Sequence, residues 1–274
     1  KFSNFKSLVQ GDKGVFHLKP FTMDIYGSTG EGEITLDRSA VDALYTINLK
    51  ASKLDFEKFE QAYGVKKVIG GKGDFVAALT IKEKGNRTLP GSTSGTFSLR
   101  GDNLVVNTMD LDKLLSSYES SQEFNLVDLG AFFIAGPLGN VALAGYHYGD
   151  FYNQTRGGQG KITQFISHWT IKDGVAEAID CAFATPHNRV AFKGRLDFVR
   201  ERYDNVTVAL LDDKGCAKFR QSISGSFRKP QISAVNVYES LAGPFSNLYR
   251  KAQRFVQGGK CEVFYIGAVR QAPK

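Results

Sequence analysis

The residues of this chain that could perform acid–base or metal chemistry are its four histidines and its paired acidic residues. The histidines have no spacing typical of metal ligands: His17, His147, His168 and His187. Asp212 with Asp213, and Glu31 with Glu33, could serve as general acid and base. In a turn or on an exposed strand face, however, such pairs usually serve as solvated charges. We therefore expect no metal site and no catalytic acid–base pair.

Sequence motifs of common enzyme classes are missing as well. The chain has no GxxxxGK[ST], HExxH or CxxC motif, and Thr93 stands where a nucleophile elbow has serine. The glycines of residues 27–32 and 70–73 are interpreted as turn glycines because no helix is predicted to begin there. Phe219–Arg220 and residues 227–229 are only fragments of a nucleic-acid-binding pattern. We expect no catalytic residue, no cofactor and no nucleic-acid partner.

The composition is that of a globular, β-rich protein. The chain has 274 residues, 42% of them hydrophobic, and only 3 Cys. These numbers exclude a disordered chain and a disulfide scaffold, and the lack of a Gly-X-Y repeat excludes collagen. The 29 Gly, 21 Phe and 11 Tyr favour strands and tight turns. The net charge of +7 comes from scattered Lys and Arg, so we interpret it as a solvated surface.

Apolar and polar residues alternate with a period of two in many segments, as in strands with one apolar face. Six of these segments are residues 45–51, 75–81, 97–99, 165–171, 190–198 and 206–210. Hairpin turns are predicted at residues 83–86, 172–174 and 203–205 because these short polar segments join neighbouring strands. The predicted fold is mainly β (α+β): a curved antiparallel meander, open and groove-like, with a few short helices packed on it.

The helices that the sequence predicts are few. Asp55 and Asp110 each precede a short amphipathic helix, and a third helix is expected over residues 244–257, followed by a strand over 262–269. Residues 126–148 are apolar enough to be tested as a membrane span. Four glycines and a proline interrupt this segment, so we favour a broken helix packed on the sheet, with a helix at a bilayer interface as the alternative.

The three cysteines differ in their surroundings. Cys181 lies within a strand-like alternation and is expected to be a buried apolar residue. Cys216 and Cys261 each follow a glycine-containing turn and open a strand, which suggests a disulfide between two neighbouring strand starts. Such a bond requires an oxidising compartment. The alternative is three free thiols.

Several motifs in their order along the chain resemble the C-terminal region of the AsmA-like proteins of Gram-negative envelopes. They are GEGEI at 30–34, GTFSLRG at 95–101, MDLDKLL at 109–115, AGPLG at 135–139, TIKDGVA at 170–176, NRVAFKGRLD at 188–197, KGCA at 214–217 and CEVFY at 261–265. The resemblance covers most of the chain. It implies a bridge-like lipid carrier that faces the periplasm from the inner membrane, without a catalytic residue. No secretory signal or N-terminal membrane anchor is recognisable in this sequence.

An open sheet with an apolar concave face could remove acyl chains from water. The expected lining residues are Phe75, Leu79, Ile81, Phe97, Leu99, Val190, Phe192, Leu196, Phe198, Val208 and Leu210. The alternative for each of them is ordinary core packing beneath the helices. Arg189 and Arg195 have the opposite strand parity from Val190 and are expected at the surface.

The expected function follows from the resemblance and from this apolar face. We expect a single domain, 1–274, with a possible division into 1–123 and 124–274. It would be a non-enzymatic periplasmic module for phospholipid transport between inner and outer membrane, anchored in the full-length protein by an N-terminal segment. Its partners would be phospholipid or another acyl lipid, the inner membrane and an envelope protein. The alternatives are a capping or docking module that closes a longer groove, and a hydrolase with an unrecognised site.

Overall fold

One open antiparallel sheet dominates the protein. A computed structural model describes residues 2–62, 68–83, 89–121, 126, 157–233, 236–237 and 263–270. These residues form a 14-stranded sheet in which strand order follows chain order, except that two short strands, β5 and β14, lie off the main path. The described part also has two α-helices and one 3-10 turn. The prediction of a mainly β, open antiparallel fold is confirmed.

Most strands are 9 to 14 residues long, and β5, β13 and β14 are shorter. Their bounds are β1 Phe2–Asp12, β2 Val15–Ile25, β3 Ser28–Asp37, β4 Leu44–Asp55, β5 Ile69–Gly70, β6 Lys72–Lys82, β7 Thr93–Val106, β8 Gly160–Lys172, β9 Val175–Ala184, β10 Arg189–Asp197, β11 Arg202–Leu211, β12 Ala217–Ser226, β13 Lys229–Ile232 and β14 Asn236–Val237. The helices are α1 Phe56–Ala62 and α2 Leu111–Ser121, and the 3-10 turn is Pro90–Ser92.

Both helices begin where the sequence predicts. The carboxylate of Asp55 accepts a hydrogen bond from the backbone N–H of Lys58 at 3.1 Å, and that of Asp110 accepts one from Lys113 at 3.1 Å. Each acidic residue thereby satisfies an N–H group that has no partner within the helix. Apolar side chains of both helices belong to the main core cluster: Phe56, Phe59, Leu111 and Leu115. The third predicted helix lies outside the described residues.

Two of the predicted hairpin turns can be compared with the structure. The turn at 172–174 is confirmed, with positive φ at Asp173 and Gly174 as a two-residue hairpin requires. The turn predicted at 203–205 is wrong, because β11 already begins at Arg202 and the chain reverses at residues 198–201. Positive φ at Asn205 and Gly194 instead accompanies register shifts on both sides of β10. The polar residues at 203–205 therefore mark a bulge and not a hairpin turn, because a bulge favours the same types of residue.

The strand predicted over 262–269 is also wrong. Residues 263–270 are irregular apart from a single antiparallel bridge between Val263 and Cys216. We call residues 263–270 the strap. Successive backbone N–H groups of the strap donate to partners on different parts of the sheet. The strap therefore crosses the strands and does not pair along any one of them. Phe264 and Tyr265 donate to the carbonyl of Gly215, and the Arg270 N–H donates to the Gln164 side chain.

The two sides of the sheet have separate cores. The larger cluster lies on the side of α1 and α2. A smaller, alanine-rich cluster lies on the other side under the strap and contains Ile166, Ala182, Ala184, Ala191, Ala209, Leu211, Tyr265 and Val269. The sheet continues from β7 to β8 without a break in pairing order. The possible division of the chain at residue 123 stays a prediction.

Candidate functional site: one apolar face of the sheet

The expected lining residues lie on the same side of the sheet, although they come from distant parts of the chain. Residues that oppose each other in an antiparallel pair direct their side chains to one face. Cross-strand pairing links one such row across six strands: Phe75, Leu99, Ser167, Cys181, Phe192 and Val208. A second row contains Leu79, Gly95, Ile171, Ala176 and Leu196. The alternation therefore identifies one continuous apolar face.

The burial of these residues divides the face into two parts. Those on β6 and β7 are half-buried: Phe75, Leu79, Ile81, Phe97 and Leu99. Those on β10 and β11 are buried in the main core cluster: Val190, Phe192, Leu196, Val208 and Leu210. Phe198 lies in the turn after β10, not in a strand as expected, and packs against the same cluster. We call the face of β1–β4, β6 and β7 the open half, and that of β8–β12 the sealed half.

The open half is uncharged. The residues that β2–β4, β6 and β7 direct to this face are apolar or small, apart from the neutral polar Ser28, Tyr45 and Thr93. The opposite side of the same strands carries polar and charged residues, for example Glu31, Lys50 and Asp74. This asymmetry is typical of a sheet whose apolar face is covered and whose other face is solvated.

The open half includes more residues than the sequence analysis named. Half-buried Met23, Ile34, Ile47 and Leu49 share the face with Phe75 and Leu79. At the free edge, β1 adds Phe2, Phe5 and Val9, whose exposed fractions are 64%, 52% and 61%. The Phe5 ring stacks on that of Phe21 with centroids 5.7 Å apart. The period-two pattern of β2–β4 could have identified the inner four residues; nothing in the sequence marks β1 as an edge strand.

Three aromatic rings meet at the boundary between the two halves. The indole of Trp169 on β8 is fully buried and stacks on Phe97, with centroids 6.2 Å apart and planes 14° apart. On its other side, the Phe192 ring lies 5.8 Å away at 56°. The indole N–H donates to Ser167 at 2.7 Å, which satisfies both polar groups within the apolar face. Only a small depression, with room for about one water molecule, lies next to Phe192 among residues of β8–β11.

Cys181 lies in the same face and is a free, buried thiol, as the sequence predicts. Burial raises the pKa of this thiol to about 12, so it is protonated at neutral pH and a poor nucleophile. Cys216 is buried and forms the backbone bridge to Val263, two residues from Cys261. Cys261 lies outside the described residues, so its disulfide with Cys216 stays a prediction.

The expectation for Arg189 is wrong, whereas Arg195 lies where expected. Arg195 is exposed and forms an ion pair with Asp204 at 2.5 Å. Arg189 is only 3% exposed. Its guanidinium donates to the carbonyls of Val269, Asp212 and Asp213, at 3.3, 2.7 and 3.3 Å. Strand parity places Arg189 on the side opposite Val190, but it could not show that the strap covers that side.

Two kinds of site are not found in the described part of the chain. No cluster of three or more His, Cys, Asp or Glu could hold a metal ion there. No helix among the described residues has the length and apolarity needed to cross a membrane. Of the segment 126–148, the structure describes only Leu126, which is buried in the main core cluster. The expected absence of enzymatic activity stays a prediction.

Comparison with known proteins adds a family assignment. The model of the AsmA family matches residues 1–181. Neither a curated protein nor a solved structure significantly matches the chain. The matched region contains β1 to β8 and most of β9, and so the whole open half. Since the match extends over more than half of the 274 residues, the chain belongs to the AsmA family.

Proposed function

We propose that this chain is a non-enzymatic module for phospholipid transport between the inner and outer membranes, and that it binds acyl chains on the open half. The observation that carries the proposal is the half-burial of an uncharged face whose reverse side is charged. Phe75, Leu79 and Phe97 keep part of their apolar surface accessible to solvent. Contiguous accessible apolar surface of this kind marks binding sites in soluble proteins.

The energetics of acyl binding are favourable without any specific chemistry. Each CH₂ group removed from water contributes about 0.8 kcal/mol, so partial burial of two acyl chains contributes more than ~10 kcal/mol. The charged headgroup can remain in solvent beyond the strand ends. A site of this kind needs apolar area and no catalytic constellation, which is consistent with the uncharged residues of the open half.

We also propose a periplasmic location for this region, with inner-membrane anchoring in the full-length protein. Membership of the AsmA family and the resemblance to lipid carriers support this location. A Cys216–Cys261 disulfide would agree with it because the periplasm is oxidising. We expect the lipid partner to be a phospholipid or another acyl lipid.

A second candidate function is supported by the free edge of the sheet. Among the described residues, β1 pairs only with β2, and Phe2, Phe5, Leu8 and Val9 on it are all more than half exposed. An exposed apolar edge strand readily pairs with another strand. The module would then cap a longer groove and dock to an envelope protein, without carrying lipid by itself.

Lipid analysis of the purified protein distinguishes the two candidates. The chain is exported to a Gram-negative periplasm, purified without detergent and extracted with organic solvent, and the extract is analysed by mass spectrometry against a soluble control protein. Stoichiometric phospholipid is expected for acyl binding. Phospholipid at the level of the control protein would contradict acyl binding and favour the docking module.

A matched pair of variants tests where the lipid binds. Leu79→Lys places a charge on the open half, whereas Thr80→Lys places the same charge on the opposite face of the same strand. We expect Leu79→Lys to lose the lipid and Thr80→Lys to retain it, with both variants folded by circular dichroism. Equal retention by both variants would place the lipid elsewhere.

A further inference from the structure

The apolar face is most exposed at β1 and closed at β8, although Phe21 on β2 is already buried at 2% exposed. Phe5 on β1 is 52% exposed, the apolar side chains of β4, β6 and β7 are mostly half-buried, and Trp169 on β8 is fully buried. Beyond Trp169 the face remains closed, since Phe192 is 5% exposed and Val208 is fully buried. The accessible apolar surface therefore has one open end and one closed end.

The closed end consists of side chains fixed in place by their neighbours. Trp169 lies between the Phe97 and Phe192 rings, and its indole N–H is held by Ser167. The rows beyond it contain bulky residues packed against one another, including Phe183 next to Val190 and Leu210 next to Phe219. An acyl chain that continued past Trp169 would have to displace this close-packed core, which costs more free energy than its own burial returns.

We propose that Trp169 is the end of the acyl path: lipid chains occupy the open half between β1 and β7 and stop at the Trp169 ring. This inference rests on the proposed function and refines it, because the same chain then both binds lipid and terminates the groove. The two candidate functions become two parts of one sheet, with binding on β1–β7 and closure on β8–β12.

The dimensions of the open half suit an acyl chain that lies across the strands. From β2 to β7 the sheet has five strands in sequence, which at about 4.8 Å per strand span roughly 19 Å. The chains of one leaflet extend about 15 Å, half of the roughly 30 Å hydrocarbon core of a bilayer. One chain therefore fits across β2 to β7, the strands that precede Trp169 on β8. The lack of charged side chains on this face favours an acyl chain over a peptide or a polar ligand.

Photo-crosslinking of the unmodified protein tests the inference. The probe is a phosphatidylethanolamine with a diazirine near the end of one acyl chain, presented in vesicles of the unlabelled lipid. After irradiation, the labelled peptides are identified by mass spectrometry. We expect label on β6 and β7, residues 72–106, and at Trp169. The peptides of β10 and β11, residues 189–211, should carry no label above a sample kept in the dark.

The outcomes separate this inference from the proposed function. Label on β10 and β11 as strong as on β6 and β7 would overturn Trp169 as the end of the path, while acyl binding would stand. No label on either region would overturn both. Trp169→Ala provides a further test, because removing the ring should extend the label to Phe192. If that variant does not fold, the labelling pattern of the unmodified protein alone tests the inference.

Discussion

The hydroxyl of Tyr265 donates a hydrogen bond to the carboxylate of Asp180, joining two residues that are 85 positions apart in the chain. The same hydroxyl accepts a hydrogen bond from the Val269 N–H at 3.1 Å, and Asp180 accepts another from the Ala268 N–H at 3.1 Å. Burial, followed by the Asp180 hydrogen bond, raises the pKa of Tyr265, so the hydroxyl keeps its proton. This pair fastens the strap to β9 and covers the alanine-rich core.

Removing the Tyr265 hydroxyl should loosen the strap. We expect Tyr265→Phe to lower the free energy of unfolding by about 1–2 kcal/mol, because Asp180 and Val269 each lose a hydrogen-bond partner in a partly buried place. Urea denaturation followed by circular dichroism measures the change. Tyr203→Phe is the matched control, since Tyr203 is equally buried and makes ring contacts with Phe227. An equal loss in the two variants would contradict the role of the hydroxyl.

The strand pattern could be predicted from the sequence because each strand has one apolar side, and a period of two is visible without knowing the partners. Phe97 and Trp169 illustrate this: each stands in an alternating segment, and the structure pairs them directly. Turns were harder to predict. Asp204 and Asn205 favour positive φ, but a bulge uses that conformation as readily as a hairpin does.

What covers each face could not be predicted, since strand parity shows on which side a residue lies but not what packs there. Phe75 and Phe192 have the same pattern in sequence, yet Phe75 is half-buried and Phe192 is buried against Trp169. Arg189 likewise has the pattern of a surface residue and is covered by the strap. Both outcomes depend on contacts between residues far apart in the chain.

The predicted disulfide would tie the strap to β12 by a covalent bond. Under denaturing, non-reducing conditions, alkylation of protein from the periplasm should modify Cys181 only. Cys216→Ser with Cys261→Ser should lower the free energy of unfolding by roughly 3–4 kcal/mol, because the bond closes a long loop in the unfolded chain. Three alkylated cysteines in the unreduced protein would contradict the prediction.

Gly95 lies within β7 on the apolar face, and its backbone requires glycine. Its φ is +135°, and a Cβ atom there would lie 2.1 Å from the carbonyl oxygen of Ala78 on the neighbouring strand. We expect Gly95→Ala to destabilise the protein by about 1–3 kcal/mol. Gly157→Ala is the control, since Gly157 also has positive φ but open space around it. Thermal melting should show the larger decrease for Gly95→Ala; equal decreases would exclude the steric cause.

Glu60 on α1 makes stability depend on pH near neutrality. Burial raises the pKa of Glu60 to about 7, although the backbone N–H groups of Val68 and Ile69 donate to its carboxylate at 2.8 and 3.1 Å and partly oppose that rise. In the unfolded chain the carboxyl loses its proton near its ordinary pKa of 4.5. Between these two values the folded state binds more protons than the unfolded state. The free energy of unfolding therefore decreases as pH rises from about 4.5 to about 7.

We expect this decrease to be about 1–2 kcal/mol for Glu60, allowing for solvent screening of a site near the surface. Glu60→Gln should remove it, because the amide does not titrate and its oxygen can still accept one backbone hydrogen bond. Urea denaturation at a series of pH values measures the slope for the unmodified protein, for Glu60→Gln and for Glu83→Gln, whose side chain is exposed. Glu83→Gln should keep the full slope. An unchanged slope in Glu60→Gln would contradict this prediction. It would mean that other groups cause the pH dependence and that the protonation state of Glu60 does not affect how α1 packs on the sheet.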